Sequence, residues 1–561
     1  MCPGPVRWAL VSPSRPPSRC AEVSEAPAQA GGGGGGWSAA RSAAGGGNPW
    51  IIATVVSIST FMEVLDTSIA NVALRHIAGG LSASYDEATW VLTSYLIANA
   101  ITVPISSWLS SVVGRKRYYM ICVAGFGVAS AMCGLAPNLT VLILARVLQG
   151  LAGGGLQPTT QAILVDTFPP QRRGLALALF GLTVILAPTI GPTLGGVITD
   201  DLSWRWIFFI NLPVAALSLF LVQTVLVEPK TLEKERQARI DRGLRLDVIG
   251  FAFIAIGLGC LEYTMDRGQR LDWFSDASIC MTAVLAVVGI GAFVVREFTT
   301  EEPLLNLRLF ASRNYSLANV LILVVGVILF GTTQFLPQLL QEVLGYTATN
   351  TGYAMTAGGA VTLLIMPLVG VLTGKVQPRW LLAFGMAIET FAMWRLTDIN
   401  GDISFAYAAQ MRVWIAAGIP FLFVPLSNAA YVGLPANQSS QASSMLSISR
   451  NLGGTLGISL VQTFLAQREQ FHQSRLVEGL NPLNPNYQAQ TAEIASRLRG
   501  IGIGSGQLDG VQMGNLYQTV LRQAELLSYM DVFWVLTLFV GCMAPLVLFL
   551  RTQPPARGAA P

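Results

Sequence analysis

The chain has 561 residues, is 52% hydrophobic and carries charge on only 12% of its positions. Soluble domains carry about twice that charged fraction, so the composition excludes an ordinary soluble domain and points to a polytopic membrane protein. The formal net charge is +4, and two histidines and seven cysteines without a Cys-x-x-Cys pair offer no disulfide framework, metal site or nucleic-acid-binding surface.

Residues 1–48 are rich in Pro, Ser, Arg and Gly, with GGGGGG at 31–36. Such a segment cannot bury a core and is expected to be a disordered tail, either dispensable or preceding the true start. It lacks the sustained apolar stretch of a secretory signal. Fourteen apolar windows follow, each near the roughly 20 residues that cross a bilayer. They lie near 50–71, 90–110, 118–136, 140–165, 174–198, 206–227, 247–265, 277–296, 315–340, 352–373, 380–397, 406–431, 442–466 and 529–550.

Basic residues alternate between the loops. With the N-terminus inside, GRKR (114–117), PPQRRG (169–174), the stretches 228–247 and 296–313, Lys375 with Arg379, and the tail with Arg551 all fall inside. Uncharged PNLT (137–140) and acidic DINGDISF (398–405) fall outside, and DRGQRLDWFSD (266–276) sets two arginines against three aspartates. Excess Lys and Arg mark cytoplasmic loops, so the expectation is an all-α polytopic membrane protein with fourteen transmembrane helices and both termini cytoplasmic. VPISSWLSSVVGRKR (103–117) and MPLVGVLTGKVQPRW (366–380) form a faint internal repeat of the kind seen between transporter halves.

Glu63 and Asp66 stand in the first window, three residues apart and so on one helix face. Ionisable groups within the membrane face the bundle interior or a water-filled cavity and mark proton or substrate paths; the alternative is a purely structural pair with a buried arginine. Arg146 in the fourth window needs a carboxylate or carbonyl partner, and Asp66 is one candidate. Gly150 and glycines 153–155 permit close helix approach, as do Gly191, Gly195 and Gly196 around Pro192 in the fifth window. Glu262, Gln334, Glu389, Arg395, Arg412 and Arg450 are further polar groups on a possible intramembrane path, either paired or snorkelling to an interface. No P-loop, catalytic triad or metal-ligand constellation stands out, so neither an enzyme nor an ATP-driven pump is indicated.

LDTSIANVAL (65–74), VGRKR (113–117), RVLQGLAGG (146–154) and APTIGPTLGG (187–196) occur in order on windows one to five. Together with MDRGQRLDWF (265–274), LPQLLQEVLGYTAT (336–349) and NPLNPN (481–486), they resemble the major facilitator superfamily. Within it they resemble the fourteen-helix drug:proton antiporter branch (EmrB/QacA type), and most of all EmrB-type multidrug exporters, over about residues 49–551. The resemblance implies a six-helix bundle at 49–227, a basic loop at 228–246, an extra helix pair at 247–296 and a linker at 297–314. A second bundle follows at 315–551, holding a long periplasmic segment at 467–528, with a cytoplasmic tail at 552–561.

It places the family's membrane-embedded aspartate on Asp66 with Asn71 in the same motif, and its proton-coupling arginine on Arg146, followed by Gln149 and Gly150. The antiporter motif falls on Gly191, Pro192, Gly195 and Gly196. In the loop after the second helix, Gly114 and Arg115 match the family, whereas Ser107, Ser111 and Val112 stand at its glycine, acidic and basic positions; Glu63 is no general family feature.

The resemblance further implies export of hydrophobic or amphipathic drugs in exchange for H+ across a cell inner membrane. It implies a periplasmic membrane-fusion adaptor (EmrA-like) and an outer-membrane channel as partners, with adaptor contact at 467–528, and no cofactor. An importer or symporter of the same fold, or a non-transporting assembly subunit, is the alternative.

Overall fold

The computed structural model describes residues 48–228, 230–241, 246–300, 303–401, 403–434, 438–481, 483–500 and 505–550. The tails expected at 1–48 (Asn48 aside) and 552–561 lie outside the described residues. Each apolar window falls on one long helical unit. These are α1 Pro49–Gly80, α2 Tyr85–Val113, α3 Arg115–Gly134, α4 Leu139–Thr167, α5 Pro170–Asp201, α6 Trp206–Val225, α7 Val248–Arg267 and α8 Ala277–Thr299. They continue with α9 Arg313–Gln338, α10 Ala348–Leu372, α11 Pro378–Arg395, α12 Phe405–Ala430, α13 Ser439–Glu478 and α14 Ser505–Met543.

Among the described residues, eleven of these are long and apolar enough to cross a membrane by length and composition. The other three are α3, which opens on Arg115-Lys116-Arg117, α11, which carries Arg379, Glu389 and Arg395, and α13, which is rich in Ser, Gln and charged residues.

Local sequence sets the helix ends. Asn48 caps α1, its side chain accepting the Trp50 N–H at 3.0 Å, with Pro49 in the first turn. The glycines at 153–155 interrupt α4 where it crosses α2, since a Cβ on Gly154 would lie 2.7 Å from the Asn99 carbonyl oxygen. Pro188 and Pro192 lie inside α5 and remove two of its backbone donors, a recognised cause of helix bending.

The packing repeats between halves. In the first half α1 lies on α5, α2 and α3 on α4, and α3 on α6. In the second half α9 lies on α13, α10 and α11 on α12, and α11 on α14. The two junctions repeat as well, α5 against α10 and α13 against α2. The VPISSWLSSVVGRKR and MPLVGVLTGKVQPRW stretches thus close equivalent helices, α2 and α10. The extra pair α7 and α8 separates the bundles in sequence but sits beside them in space, with α7 against α2 and, less extensively, α13. Gly257 and Gly289 bring α7 and α8 together, a Cβ on Gly289 lying 2.9 Å from the Gly257 Cα.

The polar segment 467–528 is helical for most of its length. It comprises the end of α13, a separate helix Pro485–Gly500 and the start of α14. Forty residues of α13 at 1.5 Å each span roughly 60 Å, about twice a bilayer's hydrocarbon core, so the helix runs on beyond its apolar window. Its polar continuation, AQREQFHQSRLVE, has no Pro or Gly to stop it.

Candidate functional site

Glu63 and Asp66 lie on the buried face of α1, 3% and 2% exposed. Asp66 is surrounded by donors. Arg146 Nη1 lies 2.6 Å from Oδ2, while Asn211 Nδ2 at 2.7 Å and Gln149 Nε2 at 3.0 Å reach Oδ1. Arg146, fully buried, also donates to the Val91 carbonyl at 3.0 Å and to Gln149 Oε1 at 2.9 Å, and its guanidinium lies 4.5 Å from the Tyr95 ring centre. Gln149 follows Arg146 by three residues and so shares its face. Gly150 lets α4 approach α2, because a Cβ there would lie 2.5 Å from the Tyr95 carbonyl oxygen. A buried ion pair is tolerated when further hydrogen bonds satisfy its remaining polar atoms, and Asn211 and Gln149 do this for Asp66.

Glu63 belongs to a second network. It accepts from Gln157 Nε2 at 2.8 Å, Asn99 Nδ2 at 3.3 Å and the Tyr95 hydroxyl at 3.4 Å. The Gln157 carbonyl oxygen accepts from Arg450 Nη2 on α13. Further along α1, Asn71 is exposed and donates to Gln334 Oε1 on α9 at 3.1 Å, a second link between the halves.

On α5, Gly191 and Gly195 face α1: a Cβ on Gly191 would lie 2.3 Å from Ser68 Oγ, and one on Gly195 3.1 Å from Ile69 Cγ2. Ser68 Oγ donates to the Pro188 carbonyl at 3.3 Å. Gly196 corrects the expectation of a four-residue packing motif. About 100° of helical turn beyond Gly195 it meets nothing within 4 Å.

At the opposite end of the bundle, Gly114 has φ +96°, in the left-handed region that favours glycine, and turns the chain from α2 into α3. The Arg115 amide donates to Glu228 Oε1 at 2.9 Å. Its side chain pairs with Asp166 and donates to Ser439 Oγ at 3.1 Å, and Ser439 Oγ donates to Asp166 Oδ2 at 3.2 Å. Although Ser111 and Val112 replace the usual loop charges, the ends of α3, α4 and α13 are therefore tied by a charge cluster.

The other polar residues separate into interior and edge. Glu262 on α7 is buried and accepts from Thr455 on α13 at 3.0 and 3.1 Å. Arg412 is buried and donates to Thr189 on α5 at 3.2 Å, and Glu389 is buried with neither oxygen hydrogen-bonded among the described residues. Arg395 stands apart. It lies at the end of α11 on Asp398 at 3.2 Å, partly exposed, as the interface alternative for these residues expects. Sequence reasoning passed over Asn211, Gln157, Asn99, Asp166 and Thr189. Asn211 alone gave a local signal, as a polar residue inside the apolar run WIFFINLPVAAL.

Helices arranged in two repeated halves, with polar networks spanning their junction, have the architecture of a multi-pass membrane transporter. The description of the Major Facilitator Superfamily matches residues 56–458, and the chain belongs to that superfamily. It is 38% identical over 486 residues to the multidrug export protein EmrB of Escherichia coli (strain K12), covering 86% of this chain and 92% of that protein. It is 34% identical over 506 residues to EmrB of Haemophilus influenzae, covering 90% and 96%, and 33% identical over 498 residues to the fatty acid resistance protein FarB of Neisseria gonorrhoeae, covering 89% and 95%. The crystal structure of the human organic anion transporter MFSD10 shares the fold, with a TM-score of 0.52 at 12% identity, covering 88% of this chain and 99% of that one.

Proposed function

We propose that the chain is a proton-coupled multidrug exporter of the EmrB type. In this reading it moves hydrophobic and amphipathic compounds across a cell inner membrane by alternating access, with Arg115 at the cytoplasmic face. It is the inner-membrane part of a tripartite pump, and the helical extension over 467–528 meets a periplasmic adaptor that leads to an outer-membrane channel. The proton gradient drives it, without ATP or a cofactor. The observation that carries the reading is Asp66, a buried carboxylate held by Arg146, Gln149 and Asn211 where α1, α4 and α6 meet. The two multidrug export relatives, 38% and 34% identical over nearly their whole length, support it.

Protonation of Asp66 removes the charge that Arg146 balances, and the network then favours a different arrangement of its helices. A drug that binds better in one arrangement and a proton that binds better in the other are coupled by linkage. Glu63, Arg450, Gln334 and Asn71 bridge the halves and so feel the rearrangement. The test is dye flux in proteoliposomes under an imposed pH gradient. Uphill export by the native chain and its loss in Asp66→Asn is expected; uphill export retained by Asp66→Asn overturns the assignment.

A further inference from the structure

The second half holds a buried charge pair built differently from the first. Arg146 lies seven residues past the start of α4 (146 − 139) and Arg412 seven past the start of α12 (412 − 405), and α4 and α12 are packing equivalents. Both helices are capped by a side chain, that of Asn138 or Ser404. The amide that serves Arg146 and Asp66 is Gln149, three residues on; the same step from Arg412 reaches Ile415.

The consequence is an incomplete network. Glu389 on α11 is 0% exposed and Arg412 1% exposed, yet no ion-pair contact within 4.0 Å joins them. Among the described residues, both oxygens of Glu389, and Nε and Nη1 of Arg412, have no hydrogen-bond partner. Arg412 Nη2 instead reaches across to Thr189 on α5, in the other half, at 3.2 Å. Two glycines make room for this pair. A Cβ on Gly418 would lie 2.6 Å from Glu389 Oε1, and one on Gly358 of α10 would lie 2.7 Å from Arg412 Cγ. Among the described residues, Arg412 is the charge that acts on Glu389 and Glu389 the charge that acts on Arg412; α14, also packed on α11, brings Gly541 to Thr390.

An ionised carboxylate with no donor in a buried site bears its desolvation cost uncompensated, and a bound proton removes the charge. Arg412 is then free to serve Thr189. When Glu389 gives up its proton to water, its charge draws Arg412 back and the contact across the halves is lost. From this geometry we infer that Glu389 and Arg412 form a second proton-binding site, in the second half, whose occupancy decides whether Arg412 clasps Thr189 of α5. The step forms or breaks one O–H bond and needs no other reactant. As a transport role it rests on the antiporter reading; as a proton site it does not.

The experiment is infrared difference spectroscopy of the purified full chain across a pH titration, reading the C=O stretch of protonated carboxyl groups. Asp66→Asn is expected to keep the Glu389 component of that band, and isosteric Glu389→Gln to lose it. An undiminished band in Glu389→Gln overturns the inference. Should Glu389→Gln not purify as a single species, Thr189→Val serves instead. Freed from its acceptor, Arg412 should shift the titration of the band, and a titration identical to that of the native chain overturns the clasp. In proteoliposomes, Glu389→Gln should lower the number of protons exchanged per dye. If the native chain shows no uphill dye export under an imposed pH gradient, the antiporter reading fails while the infrared result stands on its own.

Discussion

Glu63 and Arg450 are joined through one amide: Gln157 donates to Glu63 at 2.8 Å and accepts from Arg450. A carboxylate of the first half and a guanidinium of the second thus hold each other through a side chain whose two ends match their opposite needs. All three lie where α1, α4 and α13 converge, and Arg450 lies 5.8 Å from the Phe180 ring centre.

Replacing Gln157 with Leu removes both halves of that exchange. Breaking a buried charge network leaves uncompensated charges and costs roughly 3–5 kcal/mol. Gln157→Leu is therefore expected to lower the melting temperature in detergent and to reduce dye export strongly. A melting temperature equal to that of the native chain would show that the amide contributes nothing to the junction.

The glycines separate those that permit contact from those that do not. A side chain on Gly150 would collide with the backbone of α2, and overpacking of this kind costs typically 1–3 kcal/mol. Gly150→Ala should be destabilised by about that amount in thermal unfolding. Gly196→Ala, with nothing within 4 Å, should stay within about 0.5 kcal/mol of the native chain. Equal effects from the two would contradict the packing.

Much of this was legible in the sequence. The fourteen windows fell on fourteen helices, because a bilayer-length apolar run has few alternatives to a helix. Glu63, Asp66 and Arg146 stood out because charge is rare in such runs. Gln157, Asn99 and Thr189 did not, because uncharged polar residues are common in membrane helices and only three-dimensional packing brings them to a charge. The length of α13 and α14 was missed for another reason. Apolar content reports where a helix meets lipid, whereas the helix itself continues as far as its backbone is allowed to. Gly196 sits in the same motif as Gly195, and only the helix phase, read against the position of α1, distinguishes them.

The extra helix pair offers a pH test at Asp247, the residue just before α7. Asp247 caps α7, accepting the Gly250 amide at 3.1 Å, and takes hydrogen bonds from Arg296 of α8 at 3.1–3.2 Å. Burial alone would raise its pKa, but Arg296 and the Gly250 amide outweigh it and hold the carboxyl below its ordinary 3.8. A depressed carboxyl stabilises the fold above its unfolded value and loses that contribution as pH falls through the folded one. The native chain should therefore melt higher than Asp247→Asn at neutral pH. The difference should hold down to about pH 4 and vanish below it, and a difference independent of pH would contradict this.

The charge cluster at the basic end makes the final test. Arg115 ties Asp166 of α4 to Ser439, the first residue of α13, and just inside it Ser106 and Ser444 meet across the halves at 3.1 Å. If the cluster holds that end shut, Arg115→Gln should part the two helices and expose the position behind them. A cysteine at Ser444, fully buried in the native arrangement, reads this through its labelling by a water-soluble thiol reagent added to that face. Losing about 1.4 kcal/mol of closing free energy raises the labelling about tenfold. Arg115→Lys keeps the charge but not the planar fork that reaches Asp166 and Ser439 together, so it should fall between the two. Labelling of Ser444→Cys unchanged by Arg115→Gln would show that other contacts along α5 and α10, where Gly174 and Gly370 approach, are enough to keep that end closed.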